Sequence, residues 1–219
     1  MSALLPNRFL FRFEVIVHRW RGAVRLDGDL AKWGDRHRLP PLHELDGQPG
    51  FAELHLAWCD DGLLLAARVR GKRQAPKCDA VRFRQSDHVR LMTDMRDARD
   101  IRRATRYCQH FYFMPAGGGK GGRDPLGGAA HIARATADAP LAPAGSIAVA
   151  ARAARDGYDL EALVPATVLS GWDPAGSPRI GFLTMAENHE LRQQSLTVGD
   201  DLNWWCDPST WVTGVLSAE

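Results

Sequence analysis

The chain of 219 residues has no C-x-x-C pair. Its four cysteines, Cys59, Cys78, Cys108 and Cys206, lie far apart, which excludes a zinc ribbon and a thioredoxin-type motif. No apolar run approaches the roughly 18 residues of a membrane helix, so no membrane partner is expected. The opening stretch MSALLPNRFLFRFEVIVHRW mixes charged and apolar side chains where a secretory leader needs an unbroken apolar run of about 7 to 15. A cytoplasmic protein with reduced thiols is the expectation, and an extracytoplasmic position stays open. Charge excess is also missing, with 28 Lys and Arg against 26 Asp and Glu. That balance, and the lack of aromatics interleaved with the basic run RDARDIRRATR (96–106) apart from Tyr107, argue against a nucleic-acid partner.

Catalytic signatures are equally scarce. No G-x-S-x-G elbow occurs. The tract AGGGKGGRDPLGG (116–128) lacks the G-x-x-x-x-G-K-[ST] spacing, and no Ser or Thr follows Lys120, so it reads as a flexible loop and not a phosphate cradle. Glu161 and Glu187 are formally a carboxylate pair, but nothing in the sequence sets their separation. The chain is therefore read as a non-enzyme. No cofactor is expected. Cys78, Cys108 and His110 would form a thiol or metal site only if the loop at 78 folds onto the strand at 108. Calcium could draw on Asp46, Asp60 and Asp61, without a D-x-D-x-D spacing to support it.

What the sequence does contain is period-two alternation. In FLFRFEVIVH (9–18) Phe9, Phe11, Phe13, Val15 and Val17 share one face. The pattern recurs at 52–58, 62–70, 88–94, 106–114, 146–153, 157–164, 179–187 and 210–216, each run bounded by Gly, Pro or Asp. Cys59-Asp60-Asp61-Gly62 and Arg155-Asp156-Gly157 are placed as hairpin turns. PATVLSGW (165–172) is long enough for one helical turn with proline at its first position. Many short strands without alternating helices predict a single all-β domain spanning 1–219, an antiparallel two-sheet β-sandwich.

Seven segments carry a resemblance: LDGDLAKWGD (26–35), AWCDDGLLLAARVRGK (57–72), SDHVRLMTDMRD (86–97), RYCQHFYFMP (106–115), GYDLEALVP (157–165), RIGFLTMAEN (179–188) and DPSTWVTGVL (207–216). In order and spacing they resemble the family 9 carbohydrate-binding modules and the wider DOMON-like sandwiches over about residues 24–216. The resemblance implies a non-catalytic domain that holds a saccharide between two aromatic rings at the loop edge, with carboxylates and amides reading its hydroxyls. Glu161, Glu187 and Asn188 are the candidates for the polar contacts. In the strand pattern Glu161 lies on the more polar face, where a neighbouring arginine or backbone amide would equally satisfy it.

NWWCDPSTW (203–211) holds three of the chain's seven tryptophans. Trp211 falls in the last strand pattern and is expected in the core, as is Trp33 over one end of the sandwich. Trp204 and Trp205 are adjacent and cannot both point inward if the chain is extended, so one of them is the expected stacking platform. The segment KRQAPKCDAVRFRQSD (72–87), where the resembled modules place the second ring, offers only Phe83. Its basic residues Lys72, Arg73, Lys77, Arg82 and Arg84 leave open an acidic saccharide. Two alternatives remain: an interaction or scaffolding sandwich whose protein partner the sequence does not name, and a haem-binding domain drawing on Met92, Met114, Met185 and His110. Along a strand His110 and Met114 lie about 13 Å apart, too far to be axial partners of one haem.

Overall fold

A computed structural model describes residues 12–197 and 202–219. Its strands, in chain order, are β1 (Glu14–His18), β2 (Ala52–Cys59), β3 (Gly62–Arg70), β4 (His88–Asp94), β5 (Cys108–Gly118) and β6 (Asp124–Ala130). They continue as β7 (Ala148–Ala154), β8 (Gly157–Pro165), β9 (Arg179–Asn188), β10 (Arg192–Ser195) and β11 (Val212–Ser217). Among the described residues the only helices are short 3-10 turns. One sheet runs β1-β11-β9-β4-β5-β6, with β10 added to β9, and the other runs β2-β3-β8-β7. All neighbours are antiparallel except β1 and β11. The expected all-β two-sheet sandwich is what forms. No described helix is long and apolar enough to cross a membrane.

Alternation explains the layers. Leu63, Leu65, Ala67 and Val69 of β3 face Val89, Leu91, Phe111, Phe113 and Phe182 of the larger sheet, and all are essentially buried in one core. This places His88, Arg90 and Met92 of β4 on the opposite face, because successive strand residues point to opposite sides. The outer face of the small sheet carries Ala57, Leu64 and Ala66, covered by Leu30 and Trp33 from the loop that precedes β2. The β2–β3 hairpin turns on Asp60 and Asp61. Gly62 follows at φ +136°, where a Cβ would stand 2.1 Å from the Val164 carbonyl oxygen, so no other residue fits.

Several boundaries differ from the sequence reading. Residues 9–11 of the first expected strand lie outside the described residues, and the strand itself begins at Glu14. The tract 116–128 is not simply a flexible loop: β5 runs on to Gly118, and the chain returns as β6, pairing Tyr112 with Gly128 and Phe113 with Gly127. A Cβ on Gly128 would come within 2.3 Å of the Tyr112 hydroxyl, so the glycine serves close approach and not slack. Pro165 precedes the 3-10 turn Ala166–Val168 and is not its first residue. The last strand starts two residues later than expected, because Asp207 caps a turn at Pro208–Thr210 by accepting the Ser209 N–H.

Candidate functional site

Strand pairing assembles a polar face. His88 lies opposite Glu187, Arg90 opposite Met185 and Tyr112, Met92 opposite His110, and Gln193 of β10 opposite Glu187. Residues directly opposite each other share a face. One half of this outer face is sealed: Met92, Cys108, Leu183 and Met185 are buried under Ile132, Trp204, Cys206 and Trp211. The other half stays open as a hollow of about 580 Å³. Arg90, His110, Glu187 and Gln193 form its floor from four strands, and Arg84, Trp204, Trp205, His131 and Ala133 reach it from loops.

Turn geometry in residues 202–206 decides where the two adjacent indoles go. Trp204 N–H donates to the Leu202 carbonyl and Cys206 N–H to that of Asn203, so the segment is coiled and alternation does not apply. Trp204 is 5% exposed, Trp205 is half-buried, and neither stands fully outside. Trp211 is buried as expected, and its indole N–H donates to the Trp204 carbonyl at 2.8 Å, fixing the turn from below. The Arg90 guanidinium carbon lies 4.9 Å from the centre of the Trp204 ring and that of Arg134 lies 5.1 Å from Trp205.

Phe83 is a buttress and not a platform. It is buried, stacks face to face on Tyr112 at 3.9 Å, and meets His88 and His110 edge-on. Arg84 and Arg90 lie over the same ring at 5.0 and 5.9 Å. Arg90 donates to the Glu187 carboxylate at 2.5 Å. Burial, reinforced by the charge of Arg90, pushes the His88 imidazole down to about 4. The same causes, with Arg84 added, hold His110 well below the usual histidine range. Both rings are therefore neutral near pH 7, and His110 Nε2 is buried with no hydrogen-bond partner among the described residues.

Of the residues singled out from the sequence, Trp204, Trp205, Glu187 and Arg84 meet in this hollow. Glu161 does not. Its side chain is fully buried on the outer face of the small sheet, opposite Ala66, and accepts from Asp27 N, Gly28 N, Lys32 Nζ and Trp33 Nε1 at 2.7–3.1 Å. It holds the LDGDLAKW loop in place, so backbone amides satisfy it as one of the two open readings had it. Asn188 is likewise taken up: its Oδ1 accepts from Lys72 Nζ, Glu190 N and Leu191 N, shaping the turn into β10. Lys72 is buried against Asp87 at 2.9 Å, and Arg82 is paired with Asp79. Only Arg84 of the basic segment lines the hollow.

Sequence reasoning missed Arg90 and Gln193, and weighed His110 only as a metal, thiol or haem ligand. The signal for Arg90 and His110 as lining residues was present, since HVRLMTD and RYCQHFYFM each place polar residues at i and i+2, but single polar positions on a strand read as a solvated face. Among the described residues no group of three His, Cys, Asp or Glu side chains is arranged to hold a metal ion. Met92, Met114 and Met185 are buried, Met92 and Met185 within an apolar cluster. Two of the further hollows among the described residues are comparable in size. In one of about 520 Å³ Arg38 and Arg68 are engaged by Glu53, and Arg70 by Asp159. The other, about 660 Å³, is lined by Arg19, Trp20 and Asp60.

No protein-family model matches the chain, and no curated protein matches it. Solved structures do. A carbohydrate binding module family 9 from Caldicellulosiruptor kristjanssonii in complex with glucose is 16% identical, with a TM-score of 0.64 over 95% of this chain and 97% of that one. The complex of a family 9 module from the same organism with cellotriose is 15% identical, with a TM-score of 0.62 over 94% and 95%. A Bacteroides uniformis chain provisionally described as a carbohydrate-binding protein is 12% identical, with a TM-score of 0.57 over 94% and 99%. The fold is thus a family 9-like β-sandwich.

Proposed function

We propose that this domain binds a saccharide, without catalysing a reaction on it, in the hollow between Arg84 and the Trp204–Trp205 turn. One observation carries the reading: half-buried Trp205 and neutral His110 line the same hollow as the ion-paired Arg90 and Glu187. A sugar ring needs both kinds of surface, an apolar wall for its C–H face and polar groups for its hydroxyls. The likeness to modules solved with glucose and cellotriose supports the choice. Covering about 60 Å² of one ring face yields near 1.5 kcal/mol at about 25 cal/mol per Å². One such face with a few hydrogen bonds, set against the cost of association, leads to affinity in the range of about 10 μM to 1 mM.

Titration of tryptophan fluorescence with a panel of mono- and oligosaccharides tests this. Trp205→Ala is expected to weaken binding about tenfold, the loss of one stacked face. Because Trp205 is half-buried at the rim, the variant should keep its urea midpoint within a few tenths molar. Unaltered affinity in the folded variant would move the site elsewhere.

A further inference from the structure

We infer that the saccharide taken by this hollow is an acidic one, a hexuronate whose carboxylate is received by the guanidinium group of Arg84 while His110 pairs with a ring hydroxyl. The inference rests on the saccharide reading above and adds the charge of the ligand.

Three observations support it. The first is the balance of charge. Arg84 and Arg90 line the hollow and Glu187 is the one described carboxylate that does so. Glu187 is engaged by Arg90, and Arg84 has no carboxylate partner among the described residues. The second is preorganisation. Arg84 is laid on Phe83, its guanidinium carbon 5.0 Å from the ring centre. Phe83 is itself clamped by Tyr112. A guanidinium stacked on an aromatic face keeps its N–H rim free, and that rim matches a planar carboxylate.

The third observation separates a sugar acid from a simple anion. His110 is 3% exposed, lines the hollow, and leaves Nε2 unpartnered. A neutral imidazole nitrogen suits a hydroxyl, which can donate to it or accept from it. A buried polar atom without a partner is costly, so a ligand hydroxyl that supplies one gains affinity. Carboxylate and hydroxyl in one small ring describe a uronate. The guanidinium placement has a cost for neutral sugars: Arg90 lies against Trp204, which leaves only the partly covered Trp205 as a stacking wall.

The test is calorimetric titration of the full chain with sodium glucuronate, glucose, glucose 6-sulfate, sodium acetate and sodium phosphate at low salt. Glucuronate should bind at least about tenfold more tightly than glucose, equivalent to about 1.4 kcal/mol, with the ratio shrinking as salt is raised. Arg84→Ala should bring that ratio to between about one and three, and Arg84→Lys should leave it intermediate. Arg25→Ala, an exposed arginine that does not line the hollow, should leave the ratio in place. Circular dichroism of each variant establishes that it is folded. Glucose binding as tightly as glucuronate overturns the charge assignment while the saccharide reading stands. Glucose 6-sulfate binding more tightly than glucuronate overturns the carboxylate. Acetate or phosphate matching glucuronate overturns it as well, because the ring then contributes nothing. Silence with every sugar removes both readings together.

Discussion

Glu161→Ala is expected to cost about 3–5 kcal/mol of folding stability, the range found when one partner of a buried charge network is removed. The carboxylate is fully buried and accepts from the backbone of Asp27 and Gly28, from Lys32 Nζ and from Trp33 Nε1. Truncation leaves two amides, an indole N–H and an ammonium without that acceptor, each lost partner carrying its own desolvation cost of about 1–3 kcal/mol where water cannot enter. Lys32 is 27% exposed and Asp27 also receives its ammonium, so water and Asp27 soften that one loss. Glu161→Gln should fall between, since an amide keeps one acceptor oxygen but turns an NH2 group toward N–H donors. Urea denaturation checks both. A loss below about 1 kcal/mol for the alanine variant would mean that the loop over the small sheet is held by Leu30 and Trp33 packing alone.

Acid should destabilise the protein well above the carboxylate range. Burial pushes His88 and His37 down to about 4, and burial with the nearby arginines holds His110 well below its usual value. The unfolded chain takes protons on these rings as pH falls through about 6.5, whereas in the folded chain His88 and His37 do not until about 4, and His110 stays neutral well below the usual histidine range. The unfolded state therefore binds more protons in that window, and stability rises with pH across it. The contribution is complete above about 6.5 and lost progressively down to about 4. For the fully buried His88 the loss is on the order of 3 kcal/mol, with His37 and His110 steepening the slope. Urea midpoints at pH 7, 6 and 5 measure it, and His88→Gln should flatten the profile. Equal midpoints at pH 7 and 5 would show that these rings are protonated inside the fold.

The strands were legible because burial on one face leaves a period of two in the sequence, as in GLLLAARVR and HVRLMTD. Two strands were not. β6 (Asp124–Ala130) is mostly Gly and Ala because Tyr112 and Ile147 crowd it, and such a composition reads as a loop. β10 (Arg192–Ser195) is four polar residues that gain strand form only by pairing with β9.

The lining of the candidate hollow was half legible. Trp204, Trp205, Glu187 and Arg84 come from three distant segments, and the order of the motifs brought them together. Glu161 misled because a carboxylate on a polar strand face looks the same whether a ligand or a loop lies above it. The paired tryptophans misled because alternation holds for extended chain, and a turn governs residues 202–206.

The most direct test follows the indole N–H resonances of the seven tryptophans, assigned by substitution, as a bound sugar is titrated in. The account predicts that Trp205 shifts most and Trp204 follows, with Trp20 and Trp33 unmoved at the far face of the small sheet. Shifts centred on Trp20, beside the hollow lined by Arg19 and Asp60, with Trp205 silent, would contradict it.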